Sequence, residues 1–379
     1  MIYFDNSATT KTSEFVAREF YNDLTSDELF ANPGSIHKIG VSVDKAYSAV
    51  KDDTAKLLGC KPDEVLFTSC GTEGSNTAIL GYLSRNKRAG NTVISTRTEH
   101  KATLETLKKL ESMGYVVKYV SINPDGKPNL EELESMIDSN VALMCFTYVN
   151  NETGSILPIG EIVTLKNKLN SKTAVFLDCV QALGKINVNL AKLGVDLATF
   201  SGHKIHGVKG VGVLYVKGNT RIDPLVIGGG QQGGMRSGTV SYALANSFCN
   251  ALKETCEKLQ SSQENITKVN AYLREELIKR EAVINSPDDA SVFILNVAFK
   301  GFQSETMLHC LESEDIYVST VSACSSKTKK ASYVLLEMGI KREIANNSVR
   351  LSFSGDNTMD EAIEFITKLD KIYELYLIK

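Results

Sequence analysis

The stretch Ser201-Gly202-His203-Lys204-Ile205-His206-Gly207 joins two apolar segments with strand character, residues 195–200 and 211–216. Its small residues let a bulky ligand approach the backbone. A buried lysine loses its charge readily, and the neutral amine can form a Schiff base with a carbonyl cofactor such as pyridoxal phosphate. Because most lysines are exposed to solvent, the stretch taken alone favours a surface turn with a solvated lysine. The surrounding sequence decides between these two interpretations.

Apolar segments with strand character alternate with helical segments on both sides of Lys204. The predicted strands cover residues 65–69, 92–95, 116–120, 141–149, 174–177, 197–201 and 211–216. Helical patterns cover residues 41–58 and the long segment 241–280. This alternation predicts an α/β fold with a mostly parallel sheet, in which ligands bind beyond the carboxyl ends of the strands.

Polar side chains follow the ends of the predicted strands. They are Thr72, His100, Asn151, Asp178, Gln181 and Lys204. The first of them lies in a short polar turn between a strand and a helix, where exposed amide groups and a hydroxyl suit a phosphate. An ordinary helix cap explains that turn equally well. Six such positions at successive strand ends nevertheless predict one shared site.

The second half of the chain has a different pattern. Residues 292–297 and 348–353 have strand character and alternate with helical segments, which predicts a smaller α+β domain that closes over the larger one. Residues 228–233 match the pattern G-x-G-x-x-G, but the acidic residue at the expected distance, Glu254, lies in a helical run. We therefore predict a loop there and reject a dinucleotide site.

The composition excludes several classes of protein. The 379 residues are 42% hydrophobic and 23% charged, as in an ordinary globular protein with a large and a smaller domain. The net charge of −3 gives no broad basic field, so direct nucleic-acid binding is not expected. No apolar run reaches membrane-spanning length and no signal peptide is recognised, which predicts a cytoplasmic protein without membrane association. The eight cysteines form no C-x-x-C pair, so we predict reduced thiols and no metal site.

Short motifs recur in a specific order along nearly the whole chain. They are Tyr3-Phe4-Asp5-Asn6-Ser7-Ala8-Thr9-Thr10, Asn32-Pro33-Gly34-Ser35, Phe67-Thr68-Ser69, Gly71-Thr72-Glu73, Glu99-His100, Asn150-Asn151-Glu152-Thr153-Gly154, Asp178 with Gln181, Ser201-Gly202-His203-Lys204, Arg236-Ser237-Gly238-Thr239 and Ser322-Ala323-Cys324-Ser325. In this order they resemble the cysteine desulfurases, the NifS/IscS-like group of fold-type I pyridoxal-phosphate enzymes in the class V aminotransferase family.

The resemblance implies a two-domain architecture. A large cofactor-binding domain, residues 14–258, would hold a mostly parallel seven-stranded sheet flanked by helices. Residues 1–13 and 259–379 would form the smaller α+β domain, which carries the catalytic cysteine loop.

The resemblance also implies roles around pyridoxal 5'-phosphate. Lys204 would bind the cofactor as a Schiff base, and His100 would stack on the ring and assist proton transfers. Asp178 would pair with the pyridine nitrogen, and its alternative role is a helix-capping carboxylate. Gln181 would hydrogen-bond the phenolic oxygen.

The remaining cofactor contacts implied by the resemblance are to the phosphate. Gly71, Thr72, Ser201 and His203 would hold it, joined by Thr239 from a second subunit. A homodimer with shared active sites follows from this last contact.

Substrate residues are implied in the same way. Asn151 and Arg350 would bind the substrate carboxylate, where a guanidinium offers two parallel donors; a surface ion pair is the alternative for Arg350. Cys324 would be the nucleophile, since its polar loop and nearby lysines favour a thiolate. An inert surface thiol is the alternative for Cys324.

The implied activity converts L-cysteine to L-alanine and passes the sulfur, as a persulfide of Cys324, to an acceptor protein. That acceptor would serve iron-sulfur cluster assembly or tRNA and cofactor thiolation, and Lys327, Lys329 and Lys330 would dock an acidic partner. A selenocysteine lyase or another fold-type I aminotransferase is an alternative within the fold. A scaffold or sulfur-carrier partner that has lost catalysis is the alternative from another class.

Overall fold

The computed structural model describes residues 1–320 and 331–376. The predicted nucleophile Cys324 and the predicted docking residues Lys327, Lys329 and Lys330 lie outside the described residues.

The helices are α1 Glu14–Thr25, α2 Lys38–Leu58, α3 Gly71–Arg85, α4 Lys101–Ser112, α5 Leu130–Met136, α6 Ile159–Leu169, α7 Leu190–Leu193, α8 Tyr242–Lys279, α9 Ser304–Ser313, α10 Tyr333–Glu337, α11 Arg342–Asn346 and α12 Met359–Tyr376. The strands are β1 Ile2–Tyr3, β2 Val65–Thr68, β3 Thr92–Thr96, β4 Val116–Val120, β5 Val141–Thr147, β6 Ala174–Asp178, β7 Leu197–Ser201, β8 Gly212–Val216, β9 Val283–Ile284, β10 Ile294–Ala298, β11 Ile316–Tyr317, β12 Ser319–Thr320 and β13 Ser348–Ser352.

The central sheet has seven strands in the order β2-β8-β7-β6-β5-β3-β4. Strand β8 runs antiparallel to both of its neighbours, whereas the other adjacent strands are parallel. Every residue of β5 is buried, as its unbroken apolar sequence requires when helices cover both faces of a sheet. The predicted α/β fold with a mostly parallel seven-stranded sheet is confirmed.

Close packing of α3 against β7 brings the start of this helix to the carboxyl edge of the sheet. A Cβ atom at Gly74 would lie 2.1 Å from Oγ1 of Thr199, so only glycine fits at this helix–strand contact. Strand β2 ends at Thr68 and α3 begins at Gly71, which confirms the predicted order of strand, short turn and helix.

Helix α8 spans 38 residues and contributes to two hydrophobic cores. Phe248 and Leu252, near its start, pack in the core beside the central sheet. Val269 and Leu273, further along, pack in the second core with Phe4 from the amino terminus. The predicted division of the chain at residue 258 falls within this helix and stays a prediction.

The second core lies beside a four-stranded antiparallel sheet in the order β12-β13-β10-β9. Strand β1 pairs in parallel with β11, with Ile2 opposite Ile316. Asp5, two residues after β1, forms an isolated parallel β-bridge with Ser352 at the end of β13. The first residues of the chain are therefore fixed against its carboxyl-terminal third.

Within the predicted loop 228–233, residues 228–231 form neither strand nor helix, whereas residues 232 and 233 belong to the short 3-10 helix Gln232–Gly234. Gln232 lies against β2, where its Oε1 accepts from the Phe67 amide at 2.7 Å and its Nε2 donates to the Phe67 carbonyl at 2.8 Å. One side chain thus satisfies both main-chain groups of an edge-strand residue. In the part of the chain described here, no helix combines the length and apolar character needed to cross a bilayer.

Candidate active site

A cavity of about 420 Å³ opens where β5, β6 and β7 end. Ten of the predicted site residues line it: Gly71, Thr72, His100, Asn151, Asp178, Gln181, Ser201, His203, Lys204 and Arg350. Thr239 does not reach this cavity and lies exposed in the loop before α8. The fold therefore brings together ten residues that were selected from separate parts of the sequence.

Lys204 ends a single 3-10 turn, Gly202–Lys204, that directly follows β7. Its Nζ donates to the carbonyl oxygens of Ser7 and Ala8, each at 2.6 Å. The amino-terminal segment thus orients this lysine at the floor of the cavity. Ser7 and Ala8 belong to a motif of the sequence, but this role of their carbonyl groups was not predicted from it.

His100 is the N-cap of α4, and its Nδ1 accepts from the Ala102 amide at 3.1 Å. In the neutral imidazole the proton therefore lies on Nε2, the nitrogen on the other side of the ring. Burial lowers the pKa of His100; the charge of Asp178 opposes this effect, and the charge of Lys204 adds to it. His100 is held as a neutral ring that can exchange a proton through Nε2.

Asp178 ends β6 and is 4% exposed. Burial raises the pKa of this carboxyl, and the charge of His100 and a 2.9 Å hydrogen bond from the Val180 amide oppose that rise. The carboxylate of Asp178 therefore does accept a hydrogen bond from the main chain, as the alternative capping role predicted. This hydrogen bond occupies only Oδ1. Asp178 also lines the cavity, where it can pair with a cationic ring nitrogen.

Gly71 and Thr72 form the first turn of α3, and the preceding Cys70 makes no side-chain cap hydrogen bond. The positive end of this helix favours an anion. His203 lines the same end, and burial, assisted by the charge of Lys204, lowers its pKa to about 4. Its Nδ1 lies 3.1 Å from the hydroxyl of Thr9, so His203 is a neutral hydrogen-bonding group at physiological pH.

Two buried polar atoms in the cavity test whether pyridoxal phosphate fits. The hydroxyl of Ser201 and Oε1 of Gln181 have no hydrogen-bond partner within residues 1–320 and 331–376. Nε2 of Gln181 donates to the Ser7 carbonyl at 2.9 Å. The side-chain amide is therefore held in place, and its Oε1 can accept a hydrogen bond from a ligand. Buried polar atoms without partners cost about 1–3 kcal/mol each. A phosphate beside Ser201 and a phenolic hydroxyl beside Gln181 match these two atoms.

Arg350 extends from the central strand β13 and is 7% exposed, which excludes the surface ion pair considered from the sequence. Its Nη2 donates to Oδ1 of Asp5 at 2.8 Å, and its Nη1 donates to the main-chain oxygen of Asn151 at 3.0 Å. Its buried Nε has no partner among the described residues. The sequence analysis did not predict the pairing with Asp5.

Two buried glutamates next to predicted site residues were also missed. Glu99 is 1% exposed and accepts hydrogen bonds from Thr96 at 2.7 Å and Thr147 at 2.6 Å, yet burial raises its pKa to about 8. Glu152 accepts from Ser332 at 2.5 Å, and burial raises its pKa to about 7. The only signal in the sequence is their place beside His100 and Asn151, because burial is not visible there.

Comparisons with known proteins agree with this geometry. A homologue of NifS/IcsS proteins from Lactobacillus delbrueckii subsp. bulgaricus is 39% identical over 381 residues, which cover 99% of this chain and 97% of that protein. A cysteine desulfurase from Nostoc sp. is 35% identical and covers 97% of this chain, with 92% of its own length matched. A solved structure of a NifS-like protein superposes with a TM-score of 0.93 at 35% identity and covers 99% of both chains.

The resemblance inferred from the motifs is confirmed. Residues 2–365 match the family model for aminotransferase class-V, and the chain belongs to that family.

Proposed function

We propose that this protein is a pyridoxal-phosphate-dependent cysteine desulfurase, which converts L-cysteine to L-alanine and retains the sulfur as a persulfide on Cys324. The observation that carries the proposal is the cavity in which Lys204, His100 and Asp178 meet the buried guanidinium of Arg350. The two curated relatives, named as a NifS/IcsS homologue and a cysteine desulfurase, support the same activity. The presence of these side chains disfavours a scaffold without catalysis.

The cavity residues divide between the two ends of the cofactor. Gly71, Thr72, Ser201 and His203 would hold the phosphate. Asp178 and Gln181 would hold the ring, and Lys204 would attach to the cofactor carbon. When bound, pyridoxal phosphate supplies an electron sink that stabilises negative charge at the substrate Cα.

The substrate carboxylate would bind between Arg350 and Asn151. Asp5 and the Asn151 carbonyl fix the guanidinium plane, so its remaining N–H groups are oriented before the substrate arrives. As a free amine, Lys204 would remove and return the proton on the substrate Cα. His100 donates or accepts a second proton through Nε2.

Sulfur transfer needs a thiol nucleophile, and we assign this role to Cys324. Cys70, which also carries a thiol, lines the cavity at the start of α3. The Cys324 thiolate attacks the substrate sulfur, so an S–S bond forms as the Cβ–S bond breaks. A proton then replaces sulfur on the substrate carbon, which gives L-alanine. One thiol and L-cysteine become one persulfide and L-alanine, and no external oxidant is required.

We also propose a homodimer in which Thr239 completes the phosphate site of the partner subunit. Thr239 is exposed and lies away from the cavity of its own chain. The nearby Leu225 and Ile227 are 46% and 84% exposed, and a partner subunit would cover these apolar side chains. Light scattering of the holoenzyme tests the dimer, and Thr239→Ala is expected to weaken cofactor binding. A monomer that binds the cofactor fully contradicts this part.

The sulfur acceptor would be a cytoplasmic protein of iron-sulfur cluster assembly or of tRNA or cofactor thiolation. An acidic acceptor would dock beside Lys327, Lys329 and Lys330. Reversing these three charges is expected to slow transfer of sulfur to the acceptor while alanine formation in the presence of a reductant is retained. Unchanged transfer rates contradict the docking proposal.

The decisive experiment compares wild type with Cys324→Ala and with the matched control Cys256→Ala, which alters an exposed thiol on α8. Alanine and sulfide released from L-cysteine are measured with a reductant, and the visible cofactor absorption is recorded. We expect Cys324→Ala to keep the cofactor and lose turnover, while Cys256→Ala remains active. Normal turnover by Cys324→Ala rejects the proposal of a persulfide on Cys324.

A parallel assay with L-selenocysteine separates a desulfurase from a selenocysteine lyase, which would prefer the selenium substrate.

A further inference from the structure

A second cavity, of about 390 Å³, lies between the amino-terminal segment, α8 and the loop that follows β13. We name it the Lys185 cavity and define it by Gly184, Lys185, Ile205, Thr255, Phe293 and Phe353, which line it. Lys204 lines both this cavity and the candidate active site. None of the roles assigned to the active site uses the Lys185 cavity.

Lys185 carries a buried amino group that has no counter-ion among the residues that the structure describes. It is 5% exposed, and its ammonium group makes no hydrogen bond or ion pair with the residues that the structure describes. Burial, assisted by the positive charges of Lys204 and Arg350, lowers its pKa to about 7. Buried charges in folded proteins are normally paired, so an anion bound beside Lys185 would favour its charged form, and the described residues provide no such anion.

The acidic residues on the cavity walls do not pair with Lys185. Glu254 accepts from the Ser13 hydroxyl at 2.5 Å and pairs with Lys258 at 3.4 Å. Glu14 and Asp356 are exposed at the surface. These carboxylates therefore leave the Lys185 ammonium as an unpaired positive group facing a cavity.

The shape and lining of the cavity define the ligand further. Ile205, Phe293 and Phe353 are buried and supply apolar lining to the same cavity. The volume of about 390 Å³ far exceeds the roughly 30 Å³ that one water occupies in the liquid, so more than a single halide ion fits. We propose that the Lys185 cavity is a second binding site, for a small organic carboxylate whose carboxylate pairs with Lys185 and whose apolar body packs against Phe293 and Phe353.

The test uses the holoenzyme and 4-bromobenzoate, an unreactive carboxylate with an apolar body. Crystals soaked in this probe locate the bromine by its anomalous scattering. We expect the bromine in the Lys185 cavity, with the carboxylate within hydrogen-bond distance of Lys185 Nζ. A bromine peak only beside Arg350, or no peak at all, overturns the proposal. This result does not depend on any variant or on the catalytic activity.

Titration calorimetry of variants tests the role of the charge. Lys185→Met keeps the length of the side chain and is expected to weaken 4-bromobenzoate binding about tenfold or more, because a charge-assisted contact is lost. The matched control is Lys258→Met, which lines the same cavity but already pairs with Glu254, and it should change binding less than about threefold. Equal affinity for wild type and Lys185→Met overturns the proposal.

A stability measurement separates lost binding from lost folding. Because the ammonium group of Lys185 has no partner among the described residues, its replacement by an apolar side chain of similar volume should leave the thermal midpoint unchanged or raise it. Retained cofactor absorption confirms an intact active site in the variant. A lowered midpoint means that the ammonium group is satisfied in the ligand-free protein, which also contradicts the proposal.

Discussion

The guanidinium of Arg350 and the carboxylate of Asp5 are 2.8 Å apart in space and 345 positions apart in the chain. Arg350 lies on a central strand of the smaller sheet, and Asp5 follows β1. The pair joins the two ends of the described chain at the mouth of the cavity. The pair also orients the guanidinium, whose buried Nε has no hydrogen-bond partner among the described residues.

Arg350→Lys is expected to raise KM for L-cysteine about tenfold or more. Lysine keeps the charge next to Asp5, but a single ammonium group cannot form the two parallel hydrogen bonds that a guanidinium offers to a carboxylate. Steady-state kinetics measure this effect, and the cofactor absorption should be unchanged. Arg342→Lys, an exposed arginine in α11, is the matched control and should behave as wild type. An unchanged KM for Arg350→Lys rejects the assignment of Arg350 to the substrate carboxylate.

Ser201→Ala is expected to weaken binding of pyridoxal phosphate about tenfold or more, because a hydrogen bond to a charged group contributes about 1.5–3 kcal/mol. Dialysis followed by absorption spectroscopy measures the retained cofactor. Ser291→Ala provides the control, since its buried hydroxyl also lacks a partner within the described residues but lies outside the cavity. If both variants lose cofactor equally, Ser201 has no specific role.

Glu99 should make stability depend on pH. Its pKa in the folded protein is raised to about 8 from an ordinary value of 4.5, so between these values the folded state binds more protons than the unfolded state. The free energy of unfolding therefore falls as pH rises through this window. Glu99→Gln removes the titrating group and should flatten the dependence, with its largest relative gain near pH 8.

Urea unfolding of the holoenzyme at pH 5, 6.5 and 8 measures this difference, with the pH values chosen roughly across the predicted window. Glu105→Gln, at an exposed position of α4, serves as the control and should follow wild type. Parallel curves for Glu99→Gln and wild type would mean that Glu99 titrates normally.

Gly74→Ala is expected to destabilise the protein by about 1–3 kcal/mol, because the added Cβ overlaps Thr199 and forces α3 away from β7. Movement of α3 should also weaken cofactor binding, since the first turn of this helix lines the cavity. Gly160→Ala in α6 is the control: its Cβ meets nothing within 4 Å, so the change should be neutral or stabilising. Equal stability of the two variants would refute the close-packing argument.

The sequence predicted the central sheet well because its strands carry unbroken apolar runs bounded by polar turns. Residues 116–120 and 197–201 were assigned with the bounds that the structure has, and the other predicted strands differ by one or two residues. The antiparallel direction of β8 was not predicted, since apolar periodicity carries no information about strand direction.

The candidate site was predicted residue by residue through the motifs, but its internal contacts were not. The pairing of Asp5 with Arg350 and the contacts of Lys204 with Ser7 and Ala8 join segments far apart in the chain. No local pattern encodes such contacts. The raised pKa of Glu99 was equally hidden, because it depends on burial that only the folded chain creates.

The pairing of β1 with β11 has a consequence for how the enzyme is made. Residues 2–5 leave the ribosome more than 300 residues before their partners at residues 316–317 and 350–352. Lys204 can meet its carbonyl partners well before Arg350 is synthesised, but the wall of the cavity that carries Arg350 cannot close until that residue has left the ribosome. The cofactor therefore meets a complete pocket only after this point, so a chain that terminates before Arg350 is not expected to retain it.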